Sequence, residues 1–560
     1  MIQASQPTAA QILVDGLLAN GVDTIFGVPG ESYLSVLDAL YDSGIRFINC
    51  RQEGGAAMAA AAQGRLSGKP GICMVTRGPG ATNASAGLHV AFQDSMPMIL
   101  FIGQVASDQA DREAFQEVDY RRMFGQMAKW VAQVDEPSRM AEYVSRAFHI
   151  AQSGRPGPVV LALPEDMLRK SAGSSKALPA AKPIPAAPTE EALADLRRHL
   201  AEAKKPFLLI GGGGWSQTAC DDIRRFAEAN ALPVGVSFRA QDLIDNEHPL
   251  YAGHVGIGID PALGTAIQDS DLLLVVGPRL GEMTTGGYQL IEPPRSRQPL
   301  IHIHADIAEL GRVYYPDLAI AADMGSAARA LAGLGRIRSG EDGRAAKLHQ
   351  AYLTFSTPHA EPSSAMDMSH VVAYMQARLP QDTVICNGAG NYSVWLHRFF
   401  RYRRLGTQLA PSNGSMGFGT PAALASALSG RPTLAMSGDG CLMMTVQELA
   451  TAAQYGAKLI QIVVNNGIYG TIRTHQERNY PGRVFATEMG HGTDFAALGR
   501  AMGLSGERVE TLDQFKAAFD RALAADGPAL IEVLTDPDIL SPTATVAGLR
   551  AMKPSPKSAT

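Results

Sequence analysis

Cysteine is scarce and scattered. The 560 residues contain five (Cys50, Cys73, Cys220, Cys386 and Cys441) with no C-x-x-C spacing among them, so neither a zinc site nor a disulfide framework is expected. They read as small core residues of a reducing compartment. No apolar run reaches the roughly 18 residues that a membrane span requires. The N-terminal "MIQASQPTAAQILVDGLLANG" lacks a basic segment followed by an apolar one, so no secretory signal is apparent and a cytoplasmic protein is expected. An excess of basic charge is also missing. The formal net charge is −5 and the pI is near 6.2, which argues against nucleic acid as the main partner. Nor does a G-x-G-x-x-G occur with an acidic residue about 20 positions on, which counts against a nicotinamide dehydrogenase.

What is present is apolar. Hydrophobic residues make up 46% of the chain and charged ones 18%, enough to bury a large core and too apolar for disorder. The length suggests three or four domains. Residues 1–172 alternate strand-like runs ("GICMVT", "MPMILFIG", "GPVVLALP") with helix-like stretches, the pattern of a parallel sheet wrapped in helices. The Ala-, Pro- and Ser-rich "SAGSSKALPAAKPIPAAPTE" reads as a linker. A second α/β block spans 190–335, a third 366–540, and residues 541–560 are expected to form a flexible tail. Three α/β domains follow, with the outer two expected to carry the chemistry.

"SGDGCLMMTVQELATAAQYGAKLIQIVVNNG" (437–467) is the most informative stretch. A Gly-Asp-Gly turn and an Asn-Asn pair each end an apolar run, with a helix-like segment between them. That spacing predicts a βαβ unit whose strands lie side by side, about 4.8 Å apart. Asp439 and Asn466 would then both sit at carboxyl ends of strands, where open α/β sheets bind ligands. One hard cation could touch both side-chain oxygens, while Gly438 and Gly440 admit phosphate to the backbone. Glu53 is the other residue that stands out. It follows the strand-like "IRFIN" and precedes "GGAAMAAAAQG", a stretch too small and apolar to solvate a charge; a carboxylate capping a helix N-terminus is the alternative reading.

The order "FGVPG", "QEGGAAMAA", "GPGATN", "FQE", "NGSMGFGTPAA", "SGDG", "VVNNG" resembles that of the thiamine diphosphate enzymes of the acetohydroxyacid synthase (acetolactate synthase) and pyruvate oxidase group, over about residues 5–540. The resemblance implies a pyrimidine-binding, a central and a diphosphate-binding domain, and dimers or tetramers whose active sites lie between subunits. It allows a regulatory subunit. It implies that Asp439, Asn466 and the Ile468 carbonyl hold Mg²⁺, and that Gly438, Gly440, Cys441, Asn391 and Tyr392 face the diphosphate. Met416 would lie under the bent cofactor and the Gly414 carbonyl would accept from its amino group. Pro29, Gly30, Asn83 and Tyr469 fall at further cofactor-facing positions. Glu53 becomes the activator, hydrogen-bonding the pyrimidine nitrogen, while Gln116 and Lys129 are expected to face substrate.

Two departures from that pattern concern the acceptor. His475 stands where these synthases carry a tryptophan, and "GPRLGEM" keeps Arg279 but puts Met283 where an acceptor-binding arginine belongs. His475 is a candidate acid, base or donor. Arg77, in "TRGPG", occupies a position that is usually small and could restore positive charge. Gly-rich turns of the central block, "GGGG" (211–214), "AGHVGIG" (252–258) and "HIHAD" with Asp306, bring FAD into consideration. The expected activity is decarboxylation of pyruvate and condensation of the two-carbon unit with a second 2-oxo acid. The alternative is a decarboxylase or carboligase acting on a different 2-oxo acid or aldehyde.

Overall fold

The computed structural model describes residues 6–338, 343–490 and 492–551. It contains three six-stranded sheets, each parallel throughout. The first is built from β1 (Thr24–Gly27), β2 (Arg46–Asn49), β3 (Gly71–Val75), β4 (Met98–Gln104), β5 (Trp130–Gln133) and β6 (Pro158–Pro164). The second uses β7 (Pro206–Ile210), β8 (Val234–Val236), β9 (Tyr251–His254), β10 (Leu272–Val276), β11 (Leu300–His304) and β12 (Leu318–Ala321). The third uses β13 (Val384–Asn387), β14 (Gln408–Leu409), β15 (Thr433–Gly438), β16 (Ile460–Asn465), β17 (Ser505–Val509) and β18 (Ala529–Leu534). Central strands such as "LLLVV" (β10) and "MILFIGQ" (β4) are buried along their whole length. Helices cover both faces of such a sheet, so an unbroken apolar run is stable as a strand.

Strand order decides where ligands can enter. The first sheet runs β2-β1-β3-β4-β6-β5 and the third β14-β13-β15-β16-β18-β17, which is the same order twice, an internal repeat of topology without a repeat of sequence. The central sheet runs β12-β11-β10-β7-β8-β9, the doubly wound order associated with nucleotide crevices. In each sheet two neighbouring strands send their chains in opposite directions, opening a crevice at their carboxyl ends. The pairs are β1/β3, β7/β10 and β13/β15.

The outer domains are joined within the chain by helices of small residues. Helix α1 (Glu53–Ser67) follows β2, and Gly54–Ala62 are buried on every side. It packs against α2 (Gly78–Gln93), which follows β3. One core cluster unites Ala56–Ala62 with Phe418 and Ala422–Ala425 of the third domain. Close approach requires glycine at the crossing, where a Cβ on Gly87 would lie 2.5 Å from Ala57 Cβ and 2.6 Å from Met58 N. In the first domain α3 (Met140–Gln152) follows β5, and in the third α4 (Tyr392–Phe399) follows β13.

Further helices of the third domain are α5 (Gly419–Leu428), α6 (Asp439–Met443), α7 (Glu448–Gln454) and α8 (Gly470–Asn479). Residues 541–551, expected as part of a flexible tail, are structured instead. Strands Ile539–Ser541 and Ala544–Thr545 pair antiparallel, and α9 (Val546–Ala551) follows. Leu540, Val546 and Leu549 pack on Ile468, and Arg550 makes two bonds of 2.7 and 2.8 Å to the buried carboxylate of Glu477. Burying that apolar trio and pairing a carboxylate that has no water is what holds the segment down. Residues 552–560 lie outside the described residues. Among the described residues no helix is long and apolar enough to cross a membrane.

Gly87→Val should overpack the α1/α2 crossing and lower stability by about 2–3 kcal/mol. Urea denaturation would show this as a lower midpoint at constant slope; an unchanged midpoint would contradict the packing described.

Candidate active site

In the third domain β13 and β15 end side by side. After β13 the chain turns through Gly388–Gly390 into α4, and after β15 it enters α6 at Asp439. The Asp439 carboxylate accepts from Gly440 N at 2.7 Å and Gly467 N at 2.8 Å, tying the β15 turn to the β16 turn as the βαβ spacing predicts. Gly467 adopts φ +66°, the left-handed conformation that lets the chain double back after Asn466. Asn466 Oδ1 accepts from Ile468 N at 3.3 Å. Behind it, Asn465 donates to the fully buried Glu532 at 2.8 Å, which fixes the Asn-Asn turn from below. A Cβ on Gly440 would lie 2.7 Å from the Tyr469 ring and 3.0 Å from Met489 Sδ, so this turn exposes bare backbone.

Asp439 and Asn466 thus bring a carboxylate and an amide oxygen to adjacent strand ends, with Ile468, whose carbonyl accepts from Gly470 N at 2.9 Å, in the same turn. That donor set suits a hard divalent cation, which would draw its remaining ligands from phosphate and water. Asn391 is held to α8 by Thr471 and Thr474 at 2.9 Å. Tyr392 lines the crevice beside Gly438, with its hydroxyl turned inward. Its hydroxyl accepts from Gly388 N at 3.0 Å and meets Cys441 Sγ at 3.4 Å, and Cys441 Sγ accepts from Gly417 N at 3.3 Å. Burial pushes the Tyr392 phenol well up, so it remains protonated and structural. Gly414 and Met416 lie on a loop pinned through Ser412 to the Asp94 carboxylate at the end of α2, with Ser412 N at 2.9 Å.

These groups line one cleft of about 1800 Å³. It extends from Gly438–Cys441, Ile468, Tyr469 and His475 to the β7/β10 crevice of the central domain, where Gly212, Gly277, Arg279, Met283, His302 and His304 contribute. His475 stands exposed at its mouth on α8. A Cβ on Gly212 would be 2.2 Å from the Gly277 carbonyl, so the two turns touch backbone to backbone. Burial pushes His302 down to about 4, leaving a neutral ring that meets the Pro278 carbonyl at 3.0 Å. Arg279 is occupied by Gln93 at 3.0 Å.

Arg65, His89 and Asp94 of the first domain border this cleft, but Pro29, Gly30, Glu53, Asn83 and Gln116 do not line it. They gather at the β1/β3 crevice. Glu53 opens α1, accepts from Asn83 Nδ2 at 2.9 Å, and lies 3.3 Å from where a Gly80 Cβ would be. The turn at Pro29 and Gly30 packs on Thr76. Gln116 has φ +67° and its carbonyl accepts from Gly78 N at 2.9 Å. Lys129 is elsewhere. Its ammonium donates to the carbonyls of Ile150 and, at 2.6 Å, Ser153, capping the C-terminus of α3, where a cation is favoured by unpaired carbonyls.

Sequence reasoning missed Glu448. This fully buried residue of α7 accepts from Arg51 N and Gln52 N at 3.1 Å and from Thr451 Oγ1 at 2.7 Å. Burial pushes its pKa up, against those donors. Tyr455 adds a hydroxyl that accepts from Asn49 N at 2.9 Å. The third domain therefore holds the very turn that presents Glu53. The signal available was a lone carboxylate in the apolar "VQELATAAQ".

Family models match all three parts of the chain. Residues 7–123 match the thiamine pyrophosphate enzyme N-terminal TPP binding domain, 193–331 its central domain and 388–533 its C-terminal TPP binding domain. The acetolactate synthase isozyme 2 large subunit of Escherichia coli (strain K12) is 33% identical over 534 residues, covering 94% of this chain and 95% of that protein. The acetolactate synthase large subunit of Parasynechococcus marenigrum is 31% identical, covering 94% and 87%. That of Corynebacterium glutamicum is 30% identical, covering 95% and 87%.

Glu448→Ala would leave the part-buried Arg51 and Gln52 amides without their protein acceptor, a loss of about 1–3 kcal/mol, while Glu448→Gln keeps an acceptor and should lose less. Urea midpoints and amide exchange at Arg51 and Gln52 would report it; equal behaviour of the two variants would contradict the role.

Proposed function

The chain belongs to the thiamine pyrophosphate enzymes, and from that premise we propose that it is an acetolactate synthase-like carboligase, dependent on thiamine diphosphate and Mg²⁺. It decarboxylates pyruvate and condenses the remaining two-carbon unit with a second 2-oxo acid. When bound, the cofactor supplies the carbon nucleophile and the sink for the electron pair left by departing carbon dioxide.

The chain's own residues prepare that chemistry. Asp439, Asn466 and the Ile468 carbonyl would hold the cation, and the bare turns at Gly438 and Gly440 would admit the diphosphate. The single observation that carries this is the Asp439 carboxylate bridging the β15 and β16 turns at a β13/β15 crevice. Met416 would support the ring system and the Gly414 carbonyl would accept from the amino group. Glu53 would hold a proton toward the pyrimidine ring, kept in place by Asn83 and by the Glu448 clamp. Gln116, beside α2, would face substrate, and His475 would stand at the acceptor side.

Glu53 and Asp439 lie at the ends of different sheets, and the cleft lined by Asp439 is not lined by Glu53. A second copy of the chain would therefore complete each site, as a homodimer or a homotetramer built from dimers. Exposed Met443 and Met444 beside α6 and Phe115 beside Gln116 give such a partner apolar surface to cover. The relatives are named large subunits, which makes a regulatory small subunit a further partner to seek. All five cysteines are buried and unpaired, in keeping with a reducing cytoplasm. FAD is a third cofactor to seek, in the part of the cleft bordered by the Gly212 and Gly277 turns, Arg279 and His302. A second reading, simple decarboxylation or carboligation acting on a different 2-oxo acid or an aldehyde, is favoured by Met283 and His475 in place of the residues expected at the acceptor.

Purified protein with pyruvate, thiamine diphosphate and Mg²⁺ should form acetolactate; acetaldehyde alone would favour the second reading. Glu53→Gln should retain cofactor binding and lose at least about a hundredfold in turnover, whereas Asp439→Ala should lose Mg²⁺-dependent binding. If sites are shared, mixing the two inactive proteins should restore about a quarter of wild-type activity, from random pairing in a two-fold dimer. No recovery would mean that each chain builds its own site. Flavin, if present, will colour the purified protein yellow.

A further inference from the structure

The carboxyl-end face of the first sheet holds a cluster that the proposed function leaves without a task. Arg77 stands at the N-cap of α2, directly before Gly78 and one helical turn before Gly80, the residue beside Glu53. Its side chain is 7% exposed. Nη2 contacts Glu31 Oε1 at 2.8 Å and Glu165 Oε2 at 3.4 Å, and Nη1 reaches the Phe115 carbonyl at 3.4 Å. Nε is buried with no hydrogen-bond partner. Arg51, another cation at this end of the sheet, is turned to the Asn49 carbonyl and Gln454.

The two carboxylates differ in kind. Glu165, 23% exposed, follows β6 and anchors the guanidinium from the protein side. Glu31, 67% exposed, reaches it from solvent. An ion pair with so exposed a member gains little, so exchanging Glu31 for another carboxylate is cheap. A planar fork with an unused buried donor is suited to bidentate carboxylate recognition. The neighbours are Gln116, whose carbonyl bonds the residue next to Arg77, and Glu53 a turn further on.

We propose that Arg77 binds the carboxylate of a 2-oxo acid substrate, and that Glu31 occupies its outer face until substrate displaces it. This rests on the proposed function and deepens it, by assigning a charge-reading residue where Met283 supplies none. Glu31 then acts as an internal competitor: it sets the apparent affinity for 2-oxo acids and leaves neutral aldehyde acceptors unaffected. The residue reads charge and takes no part in bond making, so its effects belong in KM and in the choice of acceptor.

The test uses the holoenzyme, with pyruvate and a neutral aldehyde as competing acceptors. Glu31→Gln, at an exposed position where no packing is lost, should lower the KM for pyruvate about threefold, the scale of one solvent-exposed ion pair. Arg77→Gln should raise it about tenfold or more, as loss of a charge-assisted carboxylate contact does, and shift products toward the aldehyde adduct. Equal KM values in all three proteins, or equal effects on charged and neutral acceptors, would overturn the proposal. Calorimetric titration with oxamate, an unreactive carboxylate of pyruvate's shape, gives a reading independent of turnover. Glu31→Gln should tighten binding and Arg77→Gln abolish it, and undiminished binding by Arg77→Gln would overturn the proposal. A wild-type protein that consumes no 2-oxo acid would remove the functional reading alone, with oxamate binding still deciding the role of Arg77.

Discussion

Everything chemical in this molecule depends on a constraint of parallel sheets. A strand followed by a helix delivers its next residues to the carboxyl end of the sheet, and neighbouring turns are usually filled by the crossing helices. Only where two adjacent strands send their chains apart is there room for a ligand. The protein contains three such places. In the third domain it puts Asp439 at one strand end and the turn of Gly388–Asn391 at the other. In the first, the Pro29–Glu31 turn after β1 faces Thr76–Gly80 after β3. The central domain leaves its crevice to glycine turns in backbone contact.

The crevices act together because the domains are locked to one another by small residues and a few buried polar groups. Alanine-rich α1 brings the two outer domains close enough to share one core cluster. Backbone amides at the junction are drawn from solvent and take protein acceptors. Glu448 and Tyr455 supply acceptors on one side and Asp94 on the other. These carboxylates are buried and their burial opposes ionisation; what they provide in return is position. The turn bearing Glu53 and the loop bearing Gly414 are both set by a residue from the opposite domain.

Charge is distributed on the same logic. At the β13/β15 crevice it is reduced to the Asp439 carboxylate, held by the Gly440 and Gly467 amides. In the first domain Arg77 lies between two carboxylates of unequal exposure. At the C-terminus Glu477 is held by Arg473 and Arg550, which secures α9 over the Ile468 turn. Lys129 shows another case, a cation whose ammonium is taken up by the carbonyls of a helix end.

Residue order alone was enough for the fold class and for the adjacency of the Asp439 and Asn466 turns. Unbroken apolar runs alternating with helix-like segments can only be parallel strands under helices, and a Gly-Asp-Gly turn one βαβ unit from an Asn-Asn pair must bring their side chains to neighbouring strand ends. Those relations are local, within about 30 residues of chain, as βαβ units are. Tertiary structure alone decided the rest. Strand order, and with it the repeated topology and the central crevice, depends on pairings between distant segments. The inward turn of Tyr392 depends on Cys441, 49 residues away. The clamp of Glu448 on Arg51 and Gln52 spans almost 400 residues, and the docking of residues 541–551 on Ile468 and Glu477 makes ordered structure from a segment too short to hold itself. Such contacts leave no period in the sequence, because burial against a remote partner, rather than local spacing, is what selects them.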